Sequence, residues 1–334
     1  MRTVLVFLVG AAAAAAQPVT PEQAGVLTFQ LDAPETGPVH YYVSTAGRPA
    51  DTTRALPLVV FFQGSGYGPI YRSAGGVVRN ALLLTPQDVP EAHFAVISKP
   101  GAPFWAEDAD PAADPPAAYS DRLSLGWRTA AGRLVIEDLV GRPWVDPSVV
   151  LAVGHSEGSD VVPWVALETP AVTHVATLAG GALSQAFDFV YEFRRLADVG
   201  EMSFEESQAY VDSVYADLRA VYAEPERTDR EYLGATYLKW ASFLGNPPLD
   251  ALVRLDIPIY AAGGTLDTKA PIANLDYLML EFIRRGKENL TYRVWSADHS
   301  FQEPTEGGVR DRIPDLVADL RRWVGWPPDP QGGR

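Results

Sequence analysis

The segment SVVLAVGHSEGSDVVPWVAL, residues 148–167, holds three signals in one run. Its first part is continuously apolar, as expected of a strand buried on both faces of a parallel sheet. Its last part suits a helix. Between them stands Gly154-His155-Ser156-Glu157-Gly158, a serine with a glycine two residues to either side. A serine so placed occupies a tight, strained strand-to-helix turn, where a Cβ at the flanking positions would collide with backbone. The pentapeptide alone is a weak signal, since glycine and serine are common. The strand before it and the helix after it give it weight over an ordinary glycine-rich loop.

Outward from this turn the chain alternates. Toward the N-terminus, VLTFQL (26–31) and VHYYVS (39–44) read as a strand pair across a Pro/Gly turn. LPLVVFF (56–62) and HFAVISK (93–99) read as buried strands, with a helical stretch at 71–84 between them. Residues 100–118 are rich in Pro, Ala and Asp and read as a long loop, followed by a helix over 120–142. Toward the C-terminus come a helix over 157–168, strand VTHVATL (172–178), strand IPIYAA (257–262), a helix near 271–286, strand LTYRVWS (290–296) and a last helix near 309–324. Eight strands mostly alternating with helices imply an α/β fold, a largely parallel sheet with helices on both faces.

Residues 182–254 interrupt the alternation between strands six and seven. They contain no convincing strand, three expected helices, and two capping-box patterns, Ser203 with Glu206 and Thr228 with Glu231. One domain of 17–181 and 255–326 with a helical insertion therefore fits better than two independent domains. The tail 327–334 is expected to be loose.

The bulk composition sets outer limits. The chain has 334 residues, 47% hydrophobic and 21% charged, which is enough apolar material for a full core. Residues 1–16, MRTVLVFLVGAAAAAA, have the charge, apolar run and Ala-x-Ala end of a signal peptide. Cleavage after Ala16 and export to the periplasm or medium are expected. No later stretch is long and apolar enough for stable membrane insertion of the mature chain. The formal charge of −15 disfavours nucleic acid as a partner. With no cysteine, disulfides, thiol catalysis and thiolate metal sites are excluded. Asp108, Asp110 and Asp114 do not match a calcium loop, and Walker and dinucleotide patterns are missing, so no cofactor or metal is expected.

A serine hydroxyl needs a base to become a nucleophile. Of five histidines, His40 and His174 lie within strands, His93 begins one, and His155 adjoins the serine but is expected to point away. His299, in SADHSF just past the last strand, lies where the loops of a parallel sheet gather around ligands. Asp267, in AGGTLDTKAP just past strand 257–262, is the acid expected to orient it. Asp298 is the rival because it adjoins His299. Two backbone N–H groups should receive the developing oxyanion. One belongs to Glu157, after the nucleophile. The other belongs to the glycine-rich loop Gln63-Gly64-Ser65-Gly66 after the third strand, with Ser65 favoured.

GHSEG, GTLD, DHSF and QGSG together resemble the α/β-hydrolase superfamily over essentially the whole mature chain. GHSEG is similar to the turn of prolyl-oligopeptidase-like peptidases and of several esterases. Those peptidases often carry a second glycine where this chain has Ser159, and usually a large propeller for which it has no room. The resemblance implies a serine hydrolase, with Ser156, Asp267 and His299 as its triad, acting on a small carboxylic ester through an acyl-enzyme. A peptidase or amidase with the same triad, and a non-catalytic binding protein on the same scaffold, are the alternatives. It also implies that 182–254 is a cap over the site. Phe187, Tyr191, Tyr237 and Trp240 then either line an apolar pocket or pack the cap onto the sheet. Lys99, at the end of the fourth strand, is a candidate substrate contact. Arg194 and Arg195 are expected on the solvated surface.

Overall fold

A computed structural model describes residues 20–327 except 47, 75–76, 81 and 108–114. The expected leader 1–16, the aspartates Asp108, Asp110 and Asp114, and the tail beyond 327 lie outside the described residues.

Eight strands make the central sheet: β1 (Leu27–Ala33), β2 (Gly37–Thr45), β3 (Leu56–Phe62), β4 (His93–Ile97), β5 (Val145–His155), β6 (His174–Leu178), β7 (Ile259–Gly264) and β8 (Leu290–Trp295). They lie in the order β1-β2-β4-β3-β5-β6-β7-β8, with Arg48–Pro49 added beside β2. β2 is antiparallel to β1 and β4, and the remaining neighbours are parallel. The apolar runs follow from the two-sided burial of such a sheet. In β3, Leu58, Val60 and Phe62 face one core while Val59 and Phe61 face the other. The first core is covered by α2 (Leu125–Val140), α3 (Glu157–Glu168), α7 (Pro248–Leu252) and α8 (Ile272–Arg284). The second is covered by α9 (Ile313–Val324), through Leu316, Val317 and Leu320. A short α1 (Ala117–Arg122) precedes α2, whose first turn is capped by Ser124 Oγ accepting the Trp127 N–H at 3.0 Å.

Between β6 and β7 lie α4 (Gln185–Asp198), α5 (Phe204–Ala223), α6 (Tyr237–Leu244) and α7. Ser203 and Glu206 form the capping box of α5. Val221, Trp240 and Leu244 make a small core of this insertion, while Phe243, Leu249 and Leu252 join the sheet's core. Among the described residues no helix is long and apolar enough to cross a membrane.

Three local expectations are corrected. The described residues within 71–84 are not helical: Tyr71–Ala74 and Val77–Asn80 pair antiparallel, and Trp105–Glu107, within the expected loop, adds a parallel third strand. In the sequence, a Gly-Gly pair between two short runs is a hairpin signal. Glu231 does not close a capping box with Thr228. Glu231–Tyr232 pairs with Ala235–Thr236 around Leu233 and Gly234, both at positive φ, so the insertion does contain a small hairpin. The helix begins only at Tyr237, capped by Thr236. The last helix likewise starts at Ile313, because Gly308–Asp311 pairs with Gln302–Thr305 first.

Candidate active site

The elbow is forced by backbone proximity. A Cβ on Gly154 would come within 2.1 Å of the Gly158 carbonyl oxygen, and one on Gly158 within 2.0 Å of the Phe62 carbonyl oxygen. Ser156 sits between them at φ 55°, ψ −125°, a conformation costly for a side-chain-bearing residue and typical of functional turns. Its N–H is held by the Leu178 carbonyl at 2.9 Å.

Asp267 and His299 are brought to this serine by the ends of β7 and β8. His299 Nε2 lies 3.0 Å from Ser156 Oγ, and His299 Nδ1 lies 2.8 Å from Asp267 Oδ2. Asp267 is 5% exposed, and its Oδ1 accepts the N–H groups of Lys269 and Ala270 at 2.8 and 2.9 Å. The rival Asp298 faces its own loop, with Oδ1 accepting the N–H groups of Ser300 and Gln302. His155 turns its Nε2–H to the His299 carbonyl at 3.1 Å and is pushed down to about 4, chiefly by burial, so it stays neutral. His93 is fully buried between Thr45 and the Trp144 carbonyl; His40 lies in β2 and His174 in β6.

The loop after β3 lies against the serine: a Cβ on Gly64 would sit 3.1 Å from Ser156 Cβ and 3.5 Å from its Oγ. Gly64 and Ser65 line the same cavity as Ser156 and His299. Glu157 opens α3, so its N–H has no acceptor within the helix.

That cavity has a volume of about 850 Å³. The insertion contributes Asp188, Phe189, Phe193, Val214 and Tyr232 to its wall, and α3 contributes Asp160. Tyr191 and Trp240, for which both pocket lining and packing are open from the sequence, do not line it. Trp240 is 6% exposed within the insertion's core, edge-on to Phe189, and Tyr191 packs on Phe187. Tyr237 packs against the insertion's core as well. On α4 the helical period turns Phe189 and Phe193, rather than Tyr191, to the cavity. Arg194 and Arg195 are engaged by Gln208 and Glu192.

Lys99 is also corrected. It is 3% exposed, and its ammonium group donates to the carbonyls of Gly64 and Gly66, the latter at 2.9 Å. Its position at a strand end makes it a candidate substrate contact, but its ammonium group is taken up by the loop carbonyls instead. There it joins a group that the sequence reading missed: Arg128 Nη1 lies 2.9 Å and Lys99 Nζ 3.7 Å from Glu157 Oε1, and Lys239 Nζ lies 2.9 Å from Glu157 Oε2. The available signal was a cation inside an apolar helix, YLKWASFL at 237–244. Burial raises the Glu157 carboxyl, but the attraction of Lys239, Lys99 and Arg128 outweighs it and holds the group ionised. Burial likewise pushes Lys99 down to about 7, against the pull of Glu157.

Asp160 and Asp188 behave oppositely, raised by burial to about 7 and about 8. Their oxygens accept from Gln185 and Asn274 at 3.0 and 2.9 Å. Both keep protons in the native state that the unfolded chain releases near pH 4, so stability should fall as pH rises from about 4 to 8. Asp188→Asn retains an oxygen for Asn274 without a charge. It should be more stable than the wild type at pH 8 by on the order of 2–4 kcal/mol, and little different at pH 4. Urea unfolding at the two pH values checks this.

No family model and no curated protein sequence matches the chain. Solved structures do. A puromycin-hydrolyzing peptidase of Mycobacterium tuberculosis superposes with a TM-score of 0.55 at 16% identity, over 92% of this chain and 40% of that one. An acylaminoacyl peptidase of Pyrococcus horikoshii gives 0.57 at 11%, over 92% and 43%. Dipeptidyl peptidase 4 of Porphyromonas gingivalis gives 0.55 at 10%, over 90% and 35%. The chain thus has the α/β-hydrolase fold. It spans well under half the length of these three proteins.

Proposed function

We propose that the chain is a serine hydrolase that forms an acyl-enzyme on Ser156. The observation that carries this is the unbroken run Asp267–His299–Ser156, at 2.8 and 3.0 Å, opening into the cavity. Ser156 Oγ attacks the substrate carbonyl while His299 Nε2 takes its proton. The oxyanion is received by the N–H groups of Glu157 and Ser65. His299 returns the proton to the leaving group, and water repeats the cycle to free Ser156. The alternative of a binding protein on the same scaffold is disfavoured because all three triad residues are present and in hydrogen-bond reach.

The bond cleaved is proposed to be an amide in a small peptide or acylated amine, because the similar structures are named as peptidases. The second reading is the ester hydrolysis expected from the sequence. It is supported by the apolar wall of Phe189, Phe193 and Val214, which suits an acyl chain. Matched aminoacyl p-nitroanilides and p-nitrophenyl esters with the same acyl groups separate the two. Measurable kcat/KM on the anilides is expected; turnover confined to the esters would favour the ester reading. Export is part of the proposal, with Gln17 as the expected first residue when protein recovered from the periplasm or medium is sequenced.

A further inference from the structure

Four charged side chains from four separate elements meet directly beneath the nucleophile: Lys99 after β4, Arg128 on α2, Glu157 at the start of α3 and Lys239 on α6. None is more than 4% exposed. Three cations around one carboxylate make a poor stabilising device, since burying them costs several kcal/mol of lost hydration per ion and apolar residues fill such a space as well or better. Stability alone does not account for the arrangement.

The cations have a second set of partners. Arg128 Nη2 donates to the Gln63 carbonyl at 2.7 Å, and Lys99 Nζ donates to those of Gly64 and Gly66. In a trans peptide the C=O and the following N–H point in opposite directions. Drawing the Gln63 carbonyl to Arg128 therefore turns the Gly64 N–H away from the cations. Drawing the Gly64 carbonyl to Lys99 does the same to the Ser65 N–H. Gly64 lies against Ser156, so these donors are presented on the cavity side of the loop.

Lys239 brings in the insertion. Its ammonium group lies 3.7 Å from the centre of the Trp240 ring, and Trp240 belongs to the insertion's own core with Val221 and Leu244. Phe189 and Tyr232, which line the cavity, pack on that core.

Resting on the serine-hydrolase reading, we infer that Lys99, Arg128 and Glu157 are positioning residues that aim the N–H groups of the 63–66 loop at the oxyanion, and that Lys239 ties this aim to the insertion forming the substrate wall. Lys99 is then selected for what it does to two peptide planes rather than for touching substrate.

Inactivation by a small fluorophosphonate tests this without a known substrate, because its phosphoryl oxygen occupies the oxyanion position. In Lys99→Met and Lys239→Met, kinact should fall about 10- to 100-fold, somewhat less than for outright loss of an oxyanion donor, with KI within about threefold of wild type. Lys239→Arg should recover most of kinact. Melting temperatures establish that each variant is folded; should Lys99→Met fail to fold, the Lys239 pair decides. Unchanged kinact in folded variants, a change confined to KI, or failure of Lys239→Arg to recover would overturn the inference while leaving the hydrolase reading intact. A wild-type protein that takes up no label at Ser156 would overturn both.

Discussion

Asp267→Asn should lower kcat by about 10⁴-fold, on the scale known for the corresponding change in a serine protease. The structure explains why so small a change is so severe. Asp267 Oδ1 accepts two backbone N–H groups, from Lys269 and Ala270, so the oxygen of a substituted amide must stay on that side. Its NH₂ group then faces His299 Nδ1, where Oδ2 now accepts at 2.8 Å. The imidazole can meet that donor only with Nδ1 unprotonated, which places the ring's proton on Nε2. Nε2 then has no lone pair for the Ser156 hydroxyl, although every heavy atom is in place. Asp298→Asn should change kcat by about threefold or less, since an amide oxygen still accepts from Ser300 and Gln302 and each such bond contributes about 1 kcal/mol. Steady-state kinetics on whichever chromogenic substrate is turned over checks both. A larger effect at Asp298 would mean that the acid is misassigned.

The largest expected effect on stability is at Glu157. Glu157→Gln keeps the shape of the side chain but removes the carboxylate that Lys99, Arg128 and Lys239 share. Breaking a buried ion pair from one side costs about 3–5 kcal/mol, because the partner charges stay buried without compensation. Lys99 is already pushed down to about 7 by burial, so raising the pH lets it lose its proton and relieves part of the cost. The loss should therefore be larger at pH 6 than at pH 9. Urea unfolding at both pH values measures it. A loss below about 1 kcal/mol at pH 6 would mean that the carboxylate does not hold the cluster together.

The parts of this site that were legible in the sequence are those fixed by backbone sterics and chain order. Gly154 and Gly158 are recognisable because no other residue fits within 2.1 Å of a carbonyl oxygen. The ends of β7 and β8 are recognisable because the strand-like runs IPIYAA and LTYRVWS stop shortly before Asp267 and His299. The inner strands of the main sheet were legible because strands buried on both faces are apolar almost throughout. The short hairpins at 71–80, 231–236 and 302–311 were not, since they lie outside that sheet and their polar, glycine-containing runs carry no burial pattern. Nor was the Glu157 cluster. A lysine reads as surface unless its partners are known, and here they come from α2, α3 and the insertion, elements whose contact only the folded chain creates. The insertion's aromatic residues were recognised as a set but not by facing, because the choice between Tyr191 and Phe189 or Phe193 depends on how α4 is rotated over the cavity.

All of the proposed chemistry depends on Ser156 being the nucleophile. The most direct measurement is mass spectrometry of the wild-type protein and of Ser156→Ala after reaction with a fluorophosphonate, with peptide mapping of the adduct. One adduct per chain is expected, on the peptide containing Gly154–Gly158, and none in Ser156→Ala. An adduct on any other residue, or a folded wild-type protein that takes up no label, would contradict it.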